Sequence, residues 1–211
     1  ITWISGLNGA ANPLRLARYW LYKFTNLTSE YANWQQFNEN TILQSGQAYT
    51  MKGSGIVTPP NIQLQNYVFT GKPNNGLINN SGILVGINNI NLVGNPYPST
   101  IDADDFINTN GITEALYFWR KTNNAATSSY ATYTLAGGVG TGSNSGDPLG
   151  LVPNGVIQVG QGFIVKSTST SINFDNTMRI GDNNNQFLRS SSDIENNRIR
   201  ITATGDNGFY S

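Results

Sequence analysis

Val159-Gly160-Gln161-Gly162-Phe163-Ile164-Val165-Lys166 has the pattern of a β-strand opened by a tight turn. Residues two apart on a strand share a face, so Phe163 and Val165 are expected to point inward together while Lys166 points outward. Gly160, just ahead of the glutamine, suits the turn or bulge that starts such a strand. The pattern stands earlier in the chain as Ser45-Gly46-Gln47-Ala48-Tyr49-Thr50-Met51-Lys52, where Tyr49 and Met51 take the inward places. Alternation accounts for the motif without a ligand, so it is assigned to core strands.

Outward from these two segments, period-two alternation recurs at 62–69, 83–87, 90–93, 156–159, 172–174 and 199–201. The runs are short and are separated by Asn-Asn, Asn-Gly, Gly-Gly and proline-containing turns, which predicts a mostly antiparallel β-protein. One stretch departs from the pattern. In Ser99-Thr-Ile-Asp-Ala-Asp-Asp-Phe-Ile-Asn108, acidic residues follow a Ser/Thr cap and precede an apolar pair, which predicts a short helix. The glycine-rich stretch 137–146 has no lysine and no helix after it, so it is expected to be a loop and not a phosphate cradle.

Three blocks recur in the same order in both halves. Tyr19-Trp20-Leu-Tyr22-Lys23-Phe-Thr25-Asn26 resembles Leu116-Tyr117-Phe-Trp119-Arg120-Lys-Thr122-Asn123, and the two Gly-Gln strands come next. The segment 61–75 then lies without a gap on 171–185, recovering an Ile, an Asn, a Gly and a closing Asn-Asn. The expected fold is therefore all-β, with two related antiparallel β-sandwich modules of jelly-roll character and one short helix. Residues 1–78 form the first module, an N-terminally shortened copy, and 79–190 form the second. Residues 191–211 start a further strand set, in which an Asp206-Asn207-Gly208 turn leads into a partner strand. Both chain ends are expected to be cuts within a longer polypeptide.

Composition narrows the chemistry. The 211 residues include no cysteine and no histidine, which excludes Ser-His-Asp and Cys-His nucleophiles, Cys/His zinc sites, histidine-ligated haem and disulfide frameworks. Only 11% of residues are charged, against about a quarter in an average soluble chain, and thirty asparagines carry much of the solubility. Four Trp, ten Tyr and nine Phe, together with the β-branched residues, mark a folded protein with a sizeable core. Twelve basic against twelve acidic residues leave no electrostatic footprint for nucleic acid or an anionic membrane. No stretch nears the roughly twenty apolar residues of a helical membrane span, so membrane insertion is not expected.

Leu92-Val93-Gly94-Asn95-Pro96-Tyr97-Pro98-Ser99-Thr100-Ile101-Asp102, followed by Tyr117-Phe118-Trp119, Gly160-Gln161-Gly162-Phe163, Met178-Arg179 and Asn184-Asn185-Gln186-Phe187-Leu188-Arg189, resembles a segment of very large secreted Bacteroidetes proteins. In such proteins it is similar to the stretch preceding a C-terminal sorting domain of the type IX secretion system. The resemblance covers roughly residues 40 to 205, and Gly-Asn-Pro-Tyr-Pro-Ser is its most specific part. It implies export to the cell surface or medium and no particular catalytic activity.

Aromatic residues supply the ligand candidates. Tyr97, held extended between two prolines, is either a stacking platform or a plug closing one end of the sandwich, and the plug is favoured. Trp34, Trp119 and Tyr130 are candidates for a flat sugar-stacking face, as are Trp3, Trp20 and Tyr133. Asp102, Asp104 and Asp105 form the one dense carboxylate cluster, a candidate Ca²⁺ site if they lie on a loop and helix-start charges if they do not. No other cofactor is expected. A second carboxylate motif at glycosidase spacing is missing, so an enzyme is not expected. The sequence thus predicts a non-catalytic structural or adhesive β-module of a large extracellular or cell-surface bacterial protein, with neighbouring modules of the same polypeptide as partners. The alternative is a carbohydrate-binding module engaging extracellular glycans.

Overall fold

Short runs of β-branched and aromatic residues, each closed by Gly, Asn or Pro, form strands that are individually too short to stand alone and are stable only as stacked layers. The computed structural model describes residues 2–11, 14–24, 34–53, 67–68, 70–80, 90–120, 129–141, 151–167, 169–181, 203–205 and 208–210. Along the chain, β1 (Thr2–Ile4), β2 (Ala10–Ala11), β3 (Leu14–Ala17), β4 (Tyr22–Phe24) and β5 (Trp34–Gln36) precede β6 (Ile78–Asn80) and β7 (Ile90–Gly94). β8 (Thr100–Asp102) runs into the helix α1 (Ala103–Asn110), followed by β9 (Leu116–Arg120), β10 (Ser129–Thr134) and β11 (Gly137–Val139). β12 (Val156–Ile157), β13 (Gly162–Lys166), β14 (Ile172–Phe174), β15 (Arg179–Ile180), β16 (Ala203–Gly205) and β17 (Gly208–Tyr210) complete the order.

The chain is all-β and sandwich-like with one short helix, as its alternation predicts. At its centre lies a five-stranded antiparallel sheet in the order β11-β10-β9-β13-β7. Alternation gives this sheet two different faces. Val93, Leu116, Phe118, Ala131, Tyr133, Phe163 and Val165 are buried on the inner face, against Ile101, Phe106, Ile107, Ile172, Phe174 and Met178. Phe106 meets Phe163 edge-on at 5.2 Å, which closes α1 onto the sheet. The small sheets β12-β8-β15 and β14-β6 complete this layer. Among the described residues one strand pair departs from the antiparallel rule, β1 lying parallel to β3.

The Gly-Gln motif occurs twice with the same local bonding. Gly46 and Gly160 both have positive φ, at 84° and 70°. The Gln47 N–H donates to Gln44 O at 3.0 Å and the Gln161 N–H to Gln158 O at 3.1 Å. Each glutamine side chain then accepts in return, Gln47 Oε1 from the Gln44 N–H and Gln161 Oε1 from the Gln158 N–H. The two turns flank the end of β7, where Gly94 N–H donates to Gly46 O and Asn95 N–H donates to Gln161 O. Downstream the copies differ. Phe163 and Val165 are buried as expected, whereas Tyr49 is 36% exposed and Met51 half-buried, because the first segment forms no extended strand and is tied by single bridges, Gln47 to Val93 of β7 and Thr50 to Tyr22 of β4.

Residues 74–80 pack with the second half. Asn74 donates to Pro96 O, Gly76 N–H donates to Asn176 Oδ1, and β6 pairs with β14. The boundary expected between residues 78 and 79 therefore falls inside β6. The stretch 137–146, expected as a loop, begins as β11, whose glycines let the chain at Pro153 cross closely; a Cβ at Gly138 would lie 1.9 Å from Pro153 O. Near the C-terminus β16 pairs with β17 with Gly205 opposite Gly208, the hairpin expected there. The runs at 83–87 and 199–201, nearly all of 62–69, and 182–190 lie outside the described residues.

Candidate functional site

The outer face of the central sheet carries the exposed aromatics. Tyr117 and Trp119 are two apart on β9 and share a face, and the register places Tyr130 of β10 opposite Trp119 and Ile164 of β13 opposite Tyr117. The Trp119 and Tyr130 rings stand 4.9 Å apart, and Trp119 remains 55% exposed. Burial pushes the Tyr130 hydroxyl pKa up from its ordinary value.

Against this face lies the β4–β5 hairpin. Phe24 and Trp34 are cross-strand partners with rings 5.1 Å apart in an edge-on contact. Together with Ala48 and Leu92 they form a second, smaller apolar cluster that includes Ile90 and Ile164. Ala48, of the segment beside the hairpin, sits close on the sheet because Gly94 and Gly162 are opposed on β7 and β13; a Cβ on either would come 3.1 Å from Ala48 Cβ.

Between hairpin and sheet is a groove of about 270 Å³, lined by Phe24 and Trp34 on one side and by Tyr117, Tyr130, Ile90 and Ile164 of the sheet on the other. Glu114 and Lys166 also line it, joined by an ion pair at 2.5 Å. The groove thus offers apolar ring faces, two phenol hydroxyls and one carboxylate–ammonium pair. Ring faces of this kind can stack on an apolar face, and the polar groups beside them can donate and accept hydrogen bonds.

Of the ligand candidates expected from sequence, Trp34 and Tyr130 line this groove and Trp119 extends it. Tyr97 is elsewhere, buried as the favoured plug, and its alternative role as a stacking platform is corrected. It is 2% exposed, its hydroxyl donates to Gly76 O at 2.6 Å, and the Arg179 guanidinium lies 5.5 Å from its ring centre. Two flanking prolines and the bond from its N–H to Asn95 Oδ1 drive the ring inward, where no face is left for a ligand. Tyr133 is also buried, its hydroxyl donating to Asp104 Oδ1 at 3.0 Å; burial first and Asp104 second raise its pKa to about 12. Trp20 donates from its ring to Leu7 O and carries Lys52 5.2 Å above it, and Trp3 lines a smaller cavity of about 150 Å³ with Phe37 and Tyr49.

The aspartates stand at a helix start. The Ser/Thr cap expected from sequence is corrected: Thr100 pairs in β8, and Asp102 is the N-cap, its Oδ1 accepting from the N–H groups of Asp104 at 2.8 Å and Asp105 at 3.1 Å. Asp104 is held by Tyr133, and Asp105 faces solvent in the first turn, where its charge complements the helix dipole. The three carboxylates are spread around a capped helix start and do not converge as ligands, which corrects the loop geometry a Ca²⁺ site requires; among the described residues no group of three or more Asp or Glu residues is placed to hold a metal.

Sequence reasoning missed Phe24, Tyr117, Ile90, Ile164 and Glu114. The i, i+2 spacing of Tyr117 and Trp119 was the available signal. Nothing local marked Phe24 or Glu114, which reach the site only through pairing across the chain.

A family model described as a domain of unknown function, DUF8693, matches residues 9–211. No curated protein matches the chain. No solved structure matches it either.

Proposed function

We propose that the chain, which belongs to the DUF8693 family, is a non-catalytic adhesive module of an exported bacterial protein, and that it adheres by binding carbohydrate in the groove between the β4–β5 hairpin and the outer face of the central sheet. The observation that carries this reading is the pairing of exposed Trp119 with Tyr130 beside a groove already lined by Trp34 and Tyr117. Aromatic side chains normally bury their area, and a contiguous exposed set beside a cavity is the arrangement that stacks on ring faces. Export to the cell surface is supported by the Gly94-Asn95-Pro96-Tyr97-Pro98-Ser99 block and by a surface poor in charge and rich in asparagine.

A glycan array followed by titration of tryptophan fluorescence tests the reading. One stacked ring contributes about 1 kcal/mol, so Trp119→Ala weakens binding by about fivefold while leaving the fold intact. A protein retained by no glycan, or a Trp119→Ala variant that binds undiminished, overturns the proposal. A second reading, a passive spacer between neighbouring modules, is favoured by the twin Gly-Gln turns on either side of β7.

A further inference from the structure

The Glu114–Lys166 ion pair sits in a groove whose remaining lining is aromatic or aliphatic. Each of the two side chains is partly open to solvent, 43% for Glu114 and 36% for Lys166, so both are within reach of a ligand. Among the described residues, the pair leaves the groove with donors and acceptors but no net charge. A sugar hydroxyl donates and accepts at once, and can take a hydrogen bond from the Lys166 ammonium while giving one to the Glu114 carboxylate. A carboxylated sugar at the same place meets the Glu114 charge.

We propose that the groove selects neutral oligosaccharides, and that Glu114 is the specificity-determining residue because it cancels Lys166 and repels acidic sugars. This rests on the glycan-binding reading above. Drug-sized ligand pockets run from about 300 to 1,000 Å³. At about 270 Å³ the groove falls just below that range. It holds one sugar ring, and the next ring of the chain stacks on the exposed ring of Trp119, which stands at 63° to that of Tyr130. Without Glu114, Lys166 becomes the single charge among the described residues of the groove and attracts a uronate carboxylate.

The test compares neutral tetrasaccharides of cello-, manno- and xylo-type with tetragalacturonate, using the full chain, fluorescence titration and calorimetry at low and physiological salt. The native protein binds at least one neutral tetrasaccharide, and tetragalacturonate at least tenfold more weakly. Glu114→Gln, a substitution at a partly exposed pair, narrows or inverts that ratio by about tenfold, and the change shrinks as salt rises because it is electrostatic. Lys166→Met weakens neutral sugars and leaves tetragalacturonate weak. Equal affinity of the native protein for neutral and acidic tetrasaccharides, or an unchanged ratio in Glu114→Gln, overturns the charge rule while the groove stands as a glycan site. Failure of every tetrasaccharide to bind either protein overturns the glycan reading itself and the charge rule with it.

Discussion

Replacing Asn95 probes the junction on which β7, its turn and the two Gly-Gln segments converge. Asn95 is 7% exposed. Its amide donates to Ser99 O at 2.8 Å and to Gln158 O at 3.1 Å, and its carbonyl oxygen accepts from the Tyr97 N–H at 3.0 Å. In Asn95→Ala the Tyr97 N–H loses this acceptor and Ser99 O loses this donor, while Gln158 O keeps the N–H of Gln161. A buried polar group left unsatisfied costs about 1–3 kcal/mol, so the two together cost about 3 kcal/mol. For a chain of this size that lowers the melting midpoint by roughly 6–12 °C. Asn95→Asp keeps the shape and the acceptor but turns the donor into a carboxylate oxygen facing two carbonyls. Burial and those dipoles raise the carboxyl pKa in the folded state above its unfolded value. The folded state then binds the proton more tightly, so stability is retained below the unfolded pKa and lost as pH rises. Urea unfolding at pH 7 and pH 4 is the assay. Asn95→Asp is expected to be the less stable variant at pH 7 and to recover toward the native protein at pH 4. An Asn95→Ala cost below about 1 kcal/mol, or an Asn95→Asp deficit that does not change with pH, refutes the reasoning.

Removing the helix cap in Asp102→Ala costs about 1 kcal/mol in urea unfolding, whereas Asp102→Asn stays within a few tenths because the amide oxygen caps equally well. The melting midpoint of the native protein is the same in millimolar calcium and in chelator, and a rise in calcium would reveal a site at the three aspartates. Between pH 10 and pH 12 the unfolded Tyr133 ionises while the folded one, with its pKa near 12, stays protonated. Its contribution is complete below pH 10 and falls as pH rises toward 12, so Tyr133→Phe flattens that part of the stability curve measured by denaturant titration. Gln161 is buried and bonds its turn at 2.8 Å, and Gln47 is more open with a bond of 3.3 Å. Gln161→Ala therefore costs about 1–2 kcal/mol and Gln47→Ala about 0.5, and equal costs would show that the two turns are energetically alike.

What the sequence determined by itself was local. Alternation at 90–93 and 172–174 and the glycine ahead of each glutamine specify strands and turns through a few consecutive residues, and those elements form where the pattern places them. The helix was legible as a short helix, but its start was not, because Thr100 is drawn into a strand and the cap falls to Asp102. β9 was legible only by likeness to an earlier block, because Leu-Tyr-Phe-Trp-Arg is large on both faces and erases the period-two signal. Partnership was decided by tertiary structure. Tyr97 and Trp119 are both aromatics in β-rich stretches, yet the bonds to Asn95 and Gly76 bury one while the outer face of β9 exposes the other. The groove joins Phe24 and Trp34 to Glu114, Tyr117, Tyr130 and Lys166 across about a hundred residues of chain. Strand pairing and the packing of Phe24 with Ala48 and Leu92, which Gly94 and Gly162 let lie close, create that adjacency, and neither leaves a trace in the periodicity of any single segment.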